Sequence, residues 1–457
     1  MRTESTQTSP PFSPNPDAGM TSPLLRPNSA PGMESSPILG PSKRGSSSVA
    51  ATAVLLNTIL GVAVLGLPWA FNANGLVLGL VFVFASGCLS AFALHLLNCV
   101  AVKLGGEDVT FYAVSIRTFP QLRHMLDGVI ALKCFGVATS YLIVIGHVLP
   151  PLIGGTHGLN ERSVRALCII GAVVLGVGPA SFPKRIRSLR HTAWVALSFM
   201  LYLTLLLVLG EQIHTAHEME GGGGSWWAHH QARGVNWWPR QGSLFSLIKT
   251  LPVFIFAFTC HQNLFTVASE LRADTLEAKR GRMDVCIVSA VAISMTIYYL
   301  SAVDGYLLFG SAVDSDILNN LKDASDASWW LWATWIVPPL QEVSALQSLW
   351  TLFFRGLVVD RVREKRILRM LTASILLLST IIAVTLTDLG VVFELVGTIG
   401  SNTICYIVPA LLYIKLFQDD GLTIKRVAAM GLLGLGLLIL PTCLTVILIT
   451  HLFGTPH

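Results

Sequence analysis

The chain has 457 residues, 53% of them hydrophobic and only 12% charged, with a formal net charge of +5. A charged share about half that of a soluble domain, with the apolar residues gathered in long blocks, excludes a water-soluble fold and requires helices that cross a bilayer. The mild basic excess reflects orientation in a membrane and no nucleic-acid partner is expected, because no cluster of basic and aromatic residues accompanies it.

Residues 1–48 are rich in Ser, Pro and Gly and lack aromatic or β-branched runs. They cannot bury enough apolar surface to order themselves, so a disordered tail is expected. The first apolar block starts near residue 49, too late and too long for a cleaved signal peptide. Read by apolar length and by Pro, Gly and charge punctuation, spans are expected near 49–72, 74–102, 125–154, 164–181, 190–211, 244–266, 283–309, 329–354, 367–387, 391–416 and 426–451. The expected architecture is therefore an all-α membrane domain of eleven helices over residues 49–452.

The cationic residues test that count. On alternate sides of the eleven spans, 24 Lys and Arg residues fall on the side of the tail and five (Arg162, Arg165, Arg233, Arg240, Lys322) on the other. Short cytoplasmic loops retain positive charge, so the N-terminus is expected in the cytoplasm. All eight cysteines lie inside apolar blocks, and no structural disulfide is expected.

Two spans are interrupted by residues that a lipid-facing helix avoids. The first contains Asn57-Thr58-Ile59-Leu60-Gly61-Val62-Ala63 and ends on Leu67-Pro68; in the sixth, Pro252 precedes Phe258-Thr259-Cys260-His261-Gln262-Asn263. Glycine lowers the cost of leaving helical dihedrals and proline deletes a backbone bond. The freed N–H and C=O groups must then meet a ligand, water or neighbouring protein. Spans one and six are five apart, an odd number, so two homologous five-span halves would run in opposite directions, with one extra C-terminal helix. Broken helices at matching positions of inverted halves point to a transport site. For each span alone, the plainer reading is that Gly and Pro are common in membrane helices.

These motifs, the third-span run Lys133 to Gly146, the pair Glu270-Leu271 and Gly305-Tyr306-Leu307-Leu308-Phe309-Gly310 resemble the amino acid/auxin permease family over roughly residues 46–452. The resemblance is greatest to the sodium-coupled neutral amino acid transporters and the fungal vacuolar amino acid transporters. It implies a LeuT-like fold and secondary active transport of amino acids, neutral ones first, by alternating access coupled to Na⁺ or H⁺. The substrate site it implies lies between spans one and six, at Thr58, Gly61, Val62, Ala63, Phe258, Thr259, Cys260 and His261, with Gly61 to Ala63 offering N–H groups to a carboxylate. In the sodium-coupled branch Asn57 helps hold Na⁺, and Thr334 is the matching span-eight threonine. The family's Gly-Ser-Gly or Gly-Ala-Gly is Gly61-Val62-Ala63 here, a bulkier loop. The cysteine pair outside the membrane in some plasma-membrane members is missing, which favours a vacuolar or lysosomal type of membrane over the plasma membrane.

Intramembrane charges carry further expectations. Glu342, about 20 Å into span eight, is read either as a proton-coupling acid or as a structural group, paired with Lys133 or hydrogen-bonded in its neutral form. His147 stands where relatives often carry Asp and is read either as a pH-sensing group or as a solvated interfacial histidine. Lys249 is expected to snorkel to the interface, and Asp304 is placed near the cytoplasmic end of span seven. Arg361, Arg363, Lys365, Arg366 and Arg369 read as an anionic-lipid contact. No catalytic residues and no cofactor beyond a coupling ion are expected, since no metalloprotease, phosphate-loop or paired-acid motif occurs. The rival function is an amino acid sensing receptor that signals through the N-terminal tail.

Overall fold

Ser47 starts the first helix: its backbone is extended and its hydroxyl accepts the Ala50 N–H, so α1 runs Ser48–Ile59. Ser46 pins that start to the end of the second interrupted helix, its N–H donating to the Glu270 carbonyl at 2.7 Å while its own carbonyl accepts from Arg272 N–H at 3.2 Å. The computed structural model describes residues 46–105, 109–152, 160–178, 189–221, 230–239, 244–323 and 361–453, all within one unit, Ile38–His457. The expected span 329–354, with Thr334 and Glu342, and most of the N-terminal tail lie outside the described residues.

After α1 come α2 (Ala63–Lys103), α3 (Phe111–Thr118), α4 (Arg123–Leu152), α5 (Glu161–Ala172), α6 (Leu189–Gly221), α7 (Leu244–Ala257) and α8 (Leu264–Glu270). There follow α9 (Leu276–Phe309), α10 (Ile317–Asp323), α11 (Arg361–Thr385), α12 (Leu389–Val396), α13 (Val408–Leu416) and α14 (Ile424–Phe453). Among the described residues there is no β-strand, only an isolated bridge between Ser46 and Leu271. Seven helical stretches in them are long and apolar enough to cross a membrane, and Ser48–Ile59 and Ala373–Thr385 are shorter apolar helices.

The 41 residues of α2 would reach about 60 Å as one rod, twice the hydrocarbon thickness. They form two antiparallel legs instead. Gly75, at φ 73° and ψ 165°, adopts a backbone conformation open in practice only to glycine, and the chain reverses there. The amides freed by the reversal are taken up from outside, Leu76 N–H by the Asn236 carbonyl and Val77 N–H by that of Trp237, each at 3.0 Å. This reversal falls just after the boundary expected between the first two spans.

Helix α9 serves as the ruler for this arrangement. Along its length Cys286 Sγ donates to the Ser48 carbonyl, Tyr298 Oη reaches the Ile59 carbonyl, and Gly305 abuts Pro68, so α1 and the first leg of α2 run parallel to it. The second leg returns: Leu80 meets Tyr299, Gly87 faces Met295, and Asn98 donates to the Arg280 carbonyl. By the same ruler Asp304 lies at the end of α9 away from Ser46, so the expectations of a cytoplasmic N-terminus and of a cytoplasmic-end Asp304 exclude each other.

The stretch Leu389–Leu416 sits deepest, with 83% of its apolar window buried against 33% for α14 at the periphery. Two wide π-turns, Gly397–Ser401 and Thr403–Ile407, interrupt it, a device common near functional sites. The eight cysteines stand as free thiols, Cys88 exposed, Cys134 half-buried and the others buried.

Candidate functional site

Helix α1 stops at Ile59 because the chain tightens: Leu60 N–H still bonds back to Leu56, but Gly61 N–H turns to the Ile59 carbonyl at 2.8 Å. Helix α2 begins at Ala63, leaving Leu60 to Val62 outside regular helix. The sixth expected span breaks the same way. Helix α7 ends at Ala257, Thr259 N–H bonds back to Phe256, and a 3₁₀ turn, His261–Asn263, leads into α8.

The breaks face each other and are joined by side chains. Asn263 Nδ2 donates to Thr58 Oγ1 at 2.7 Å, and Thr58 donates onward to the Val54 carbonyl at 2.9 Å. Tyr298 Oη lies 2.5 Å from the Ile59 carbonyl oxygen and 2.8 Å from that of Ala257, capping the last carbonyls of α1 and α7 with one hydroxyl. Between the breaks lies a cavity of about 50 Å³. At roughly 10–15 Å³ per water in this measure, that is the space of about three to five waters, the scale of an amino acid backbone.

Asn57, Thr58, Gly61, Val62, Ala63 and Thr259 line the cavity. Phe258, Cys260 and His261 do not. Phe258 packs edge-on to Tyr298 at 5.2 Å between ring centroids, and its carbonyl accepts Ser90 Oγ at 2.9 Å. Cys260 is wholly enclosed, and His261 is equally buried, with both ring nitrogens lacking a well-formed hydrogen bond among the described residues. These side chains were expected at the cavity because they belong to the break, but they are buried among other neighbours.

Sequence reading missed Ile59, Lys133, Val137, Tyr141, Phe256, Gln262 and Asn263 as lining residues. A signal was present for three of them. Lys133, Val137 and Tyr141 recur every four residues along α4 and so share one face of it. The Tyr141 hydroxyl lies by Gly61, within 3.2 Å of where a Cβ there would stand. The side-chain oxygens of Gln262 and Asn263 are buried without a hydrogen-bond donor among the described residues, so acceptors stand ready beside the cavity.

The electrostatics of the breaks are oriented. The last carbonyls of α1 and α7 bring two partial negative ends to the site, and α2 brings a partial positive N-terminus at Val62 and Ala63. A zwitterion matches both signs.

His147 lies about 9 Å along α4 beyond Tyr141. It is not the solvated interfacial group expected on one reading: Nδ1 is 2.9 Å from Oδ2 of the fully buried Asp316. Lys249 does not snorkel freely either. Its Nζ lies 3.4 Å from Oε1 of buried Glu394, whose other oxygen is 3.1 Å from His451 Nε2. The ion pair holds the ammonium because α12 presents a carboxylate beside it.

Paired interrupted helices around a small cavity, within an all-helical bundle, give this polytopic membrane protein the architecture of a secondary transporter. A solved Na⁺-coupled sialic acid symporter in a substrate-bound outward-open state has the same LeuT-like fold, with a TM-score of 0.55 over 90% of each chain at 12% identity. The family model for transmembrane amino acid transporter proteins matches residues 44–453, and the chain belongs to that family. Vacuolar amino acid transporter 5 of Schizosaccharomyces pombe is 30% identical over 415 residues, covering 86% of this chain and 92% of the relative. Sodium-coupled neutral amino acid transporter 7 of Danio rerio is 25% identical over 404 residues, covering 83% and 81%.

Proposed function

We propose that the protein is a secondary active transporter that carries neutral amino acids by alternating access, driven by a Na⁺ or H⁺ gradient. The observation that carries this reading is the pair of facing helix breaks around one cavity, with helix ends of both signs turned to it. The substrate carboxylate takes the amides of Val62 and Ala63 and the Tyr141 hydroxyl, and its ammonium takes the carbonyl end of α1. Ile59, Val62, Val137 and Phe256 give the side chain an apolar wall, which favours neutral substrates. Asn57 and Thr334 are the Na⁺ ligands on the sodium version; Glu342 and His147 are the candidates on the proton version.

On this reading residues 49–452 form eleven spans in a five-plus-five inverted repeat with one additional helix. Residues 1–48 form a cytoplasmic tail, and the membrane is of vacuolar or lysosomal type. Purified protein in liposomes, given a panel of labelled amino acids under an imposed Na⁺ gradient or an imposed proton gradient, tests the proposal. Accumulation under either gradient, weakened in Thr58→Ala, supports it. No accumulation of any amino acid under either gradient refutes it, and binding without flux favours the sensing receptor.

A further inference from the structure

Five acidic or lysine side chains are buried among the described residues: Lys133, Glu211, Lys279, Asp316 and Glu394. Four have polar partners. Glu211 meets His230 at 3.0 Å, Asp316 meets His147, Glu394 meets Lys249 and His451, and Lys279 Nζ reaches the Ser269 carbonyl. Lys133 is the exception. It is 3% exposed and lines the cavity, and none of the ion pairs among the described residues involves it. Its contact is the face of Phe256, 4.8 Å from Nζ to the ring centroid. An ammonium buried in this way is costly unless its charge is used.

Its position says how. Lys133 lines the cavity, and Phe256 belongs to the last turn of α7. Among the described residues the groups that interact with it electrostatically are thiols and an imidazole, Cys134, Cys260, Cys405 and His261, none of them a carboxylate. The ammonium therefore stands at the partial negative end of a helix whose remaining turns lie beyond the break. From the opposite side Gly400, in the first π-turn, packs on the Lys133 backbone and Cβ; a Cβ at residue 400 would fall 3.1 Å from Lys133 Cβ. The root of the lysine stem is thus held against the π-turn. A free metal cation, which unlike a zwitterion brings no carboxylate of its own, would share so small a cavity with this positive charge at low dielectric.

We propose that Lys133 is the fixed cation of this site: a tethered ammonium supplies the positive charge that the carbonyl end of α7 and the substrate carboxylate call for, so that amino acid binding needs no sodium ion. The proposal rests on the amino acid transport reading above and decides its ion requirement at the binding step. Sodium and its replacement by choline then give the same substrate affinity.

The test measures substrate-dependent thermal stabilisation of the purified full chain, for each amino acid of a panel, in sodium chloride and in choline chloride. The amino acid giving the largest shift then serves for uptake in liposomes. The wild type is expected to bind equally well in both salts. Lys133→Gln is expected to bind about 10- to 100-fold more weakly in choline, the range for losing a contact to a charged group; Lys133→Arg retains sodium-independent binding. A wild-type affinity that tightens in sodium overturns the proposal and needs no variant, so it stands even where Lys133→Gln fails to fold. Unaltered binding by a folded Lys133→Gln overturns it too. So does recovery of sodium-free binding in a Lys133→Gln, Glu342→Gln double variant, which would assign the lysine to an ion pair. A wild type that neither binds nor transports any amino acid in either salt refutes the transport reading itself, an outcome distinct from sodium-dependent binding.

Discussion

Replacing Tyr298 by Phe removes one oxygen atom and tests whether the helix breaks are held as described. The hydroxyl stands within 2.8 Å of two carbonyl oxygens, those of Ile59 and Ala257, and has one proton to give. Without it at least one helix-end carbonyl loses its donor in a buried, water-poor interior, at a cost of about 1–3 kcal/mol. That is about a five- to 150-fold shift in the folding equilibrium. The ring remains, so its edge-on packing with Phe258 is retained. Thermal unfolding followed with a thiol-reactive dye suits the measurement, because Cys260, Cys286 and Cys405 are buried and react only when the interior opens. Tyr299→Phe is the matched control: its hydroxyl donates to the Leu80 carbonyl at 3.2 Å at an exposed position, and its loss is worth at most about 0.5 kcal/mol. Since Tyr298 holds the ends of α1 and α7 together, the variant is also expected to raise the KM of uptake. Equal melting of Tyr298→Phe and Tyr299→Phe would refute the reasoning.

Other substitutions probe separate parts of the argument. Thr58→Val deprives Asn263 of its acceptor and is expected to cost about 1–2 kcal/mol and raise the KM, whereas Thr58→Ser stays near wild type; melting curves and uptake kinetics separate the two. Lys249→Met leaves Glu394, 1% exposed, with His451 alone, and is expected to destabilise by about 3–5 kcal/mol, the usual loss on removing one partner of a buried pair. Adding Glu394→Gln to it is expected to restore most of that loss, and a double variant no more stable than the single one would count against the pair. Gly75→Ala forces an L side chain into a conformation costing about 1–3 kcal/mol, with its Cβ 2.6 Å from the backbone carbon of Trp238. It is expected to abolish the monodisperse peak on size-exclusion chromatography.

Sequence by itself determined those features that depend on local chemistry. Long apolar blocks require membrane-spanning helices whatever their neighbours, and the Gly and polar residues of Asn57 to Ala63 and Phe258 to Asn263 made both breaks legible before any packing was known, whereas Pro68 and Pro252 lie inside α2 and α7. Tertiary structure decided which face of each element meets the cavity. Thr259, Gln262 and Asn263 line it while Phe258, Cys260 and His261 of the same break do not, a choice made by how the non-helical chain between α7 and α8 packs. Lys133 and Tyr141 reach the cavity only because α4 packs across both breaks, and Lys249 finds Glu394 only because α7 crosses α12. Such pairings join residues far apart in the chain, and their partners are chosen by packing rather than by local propensity.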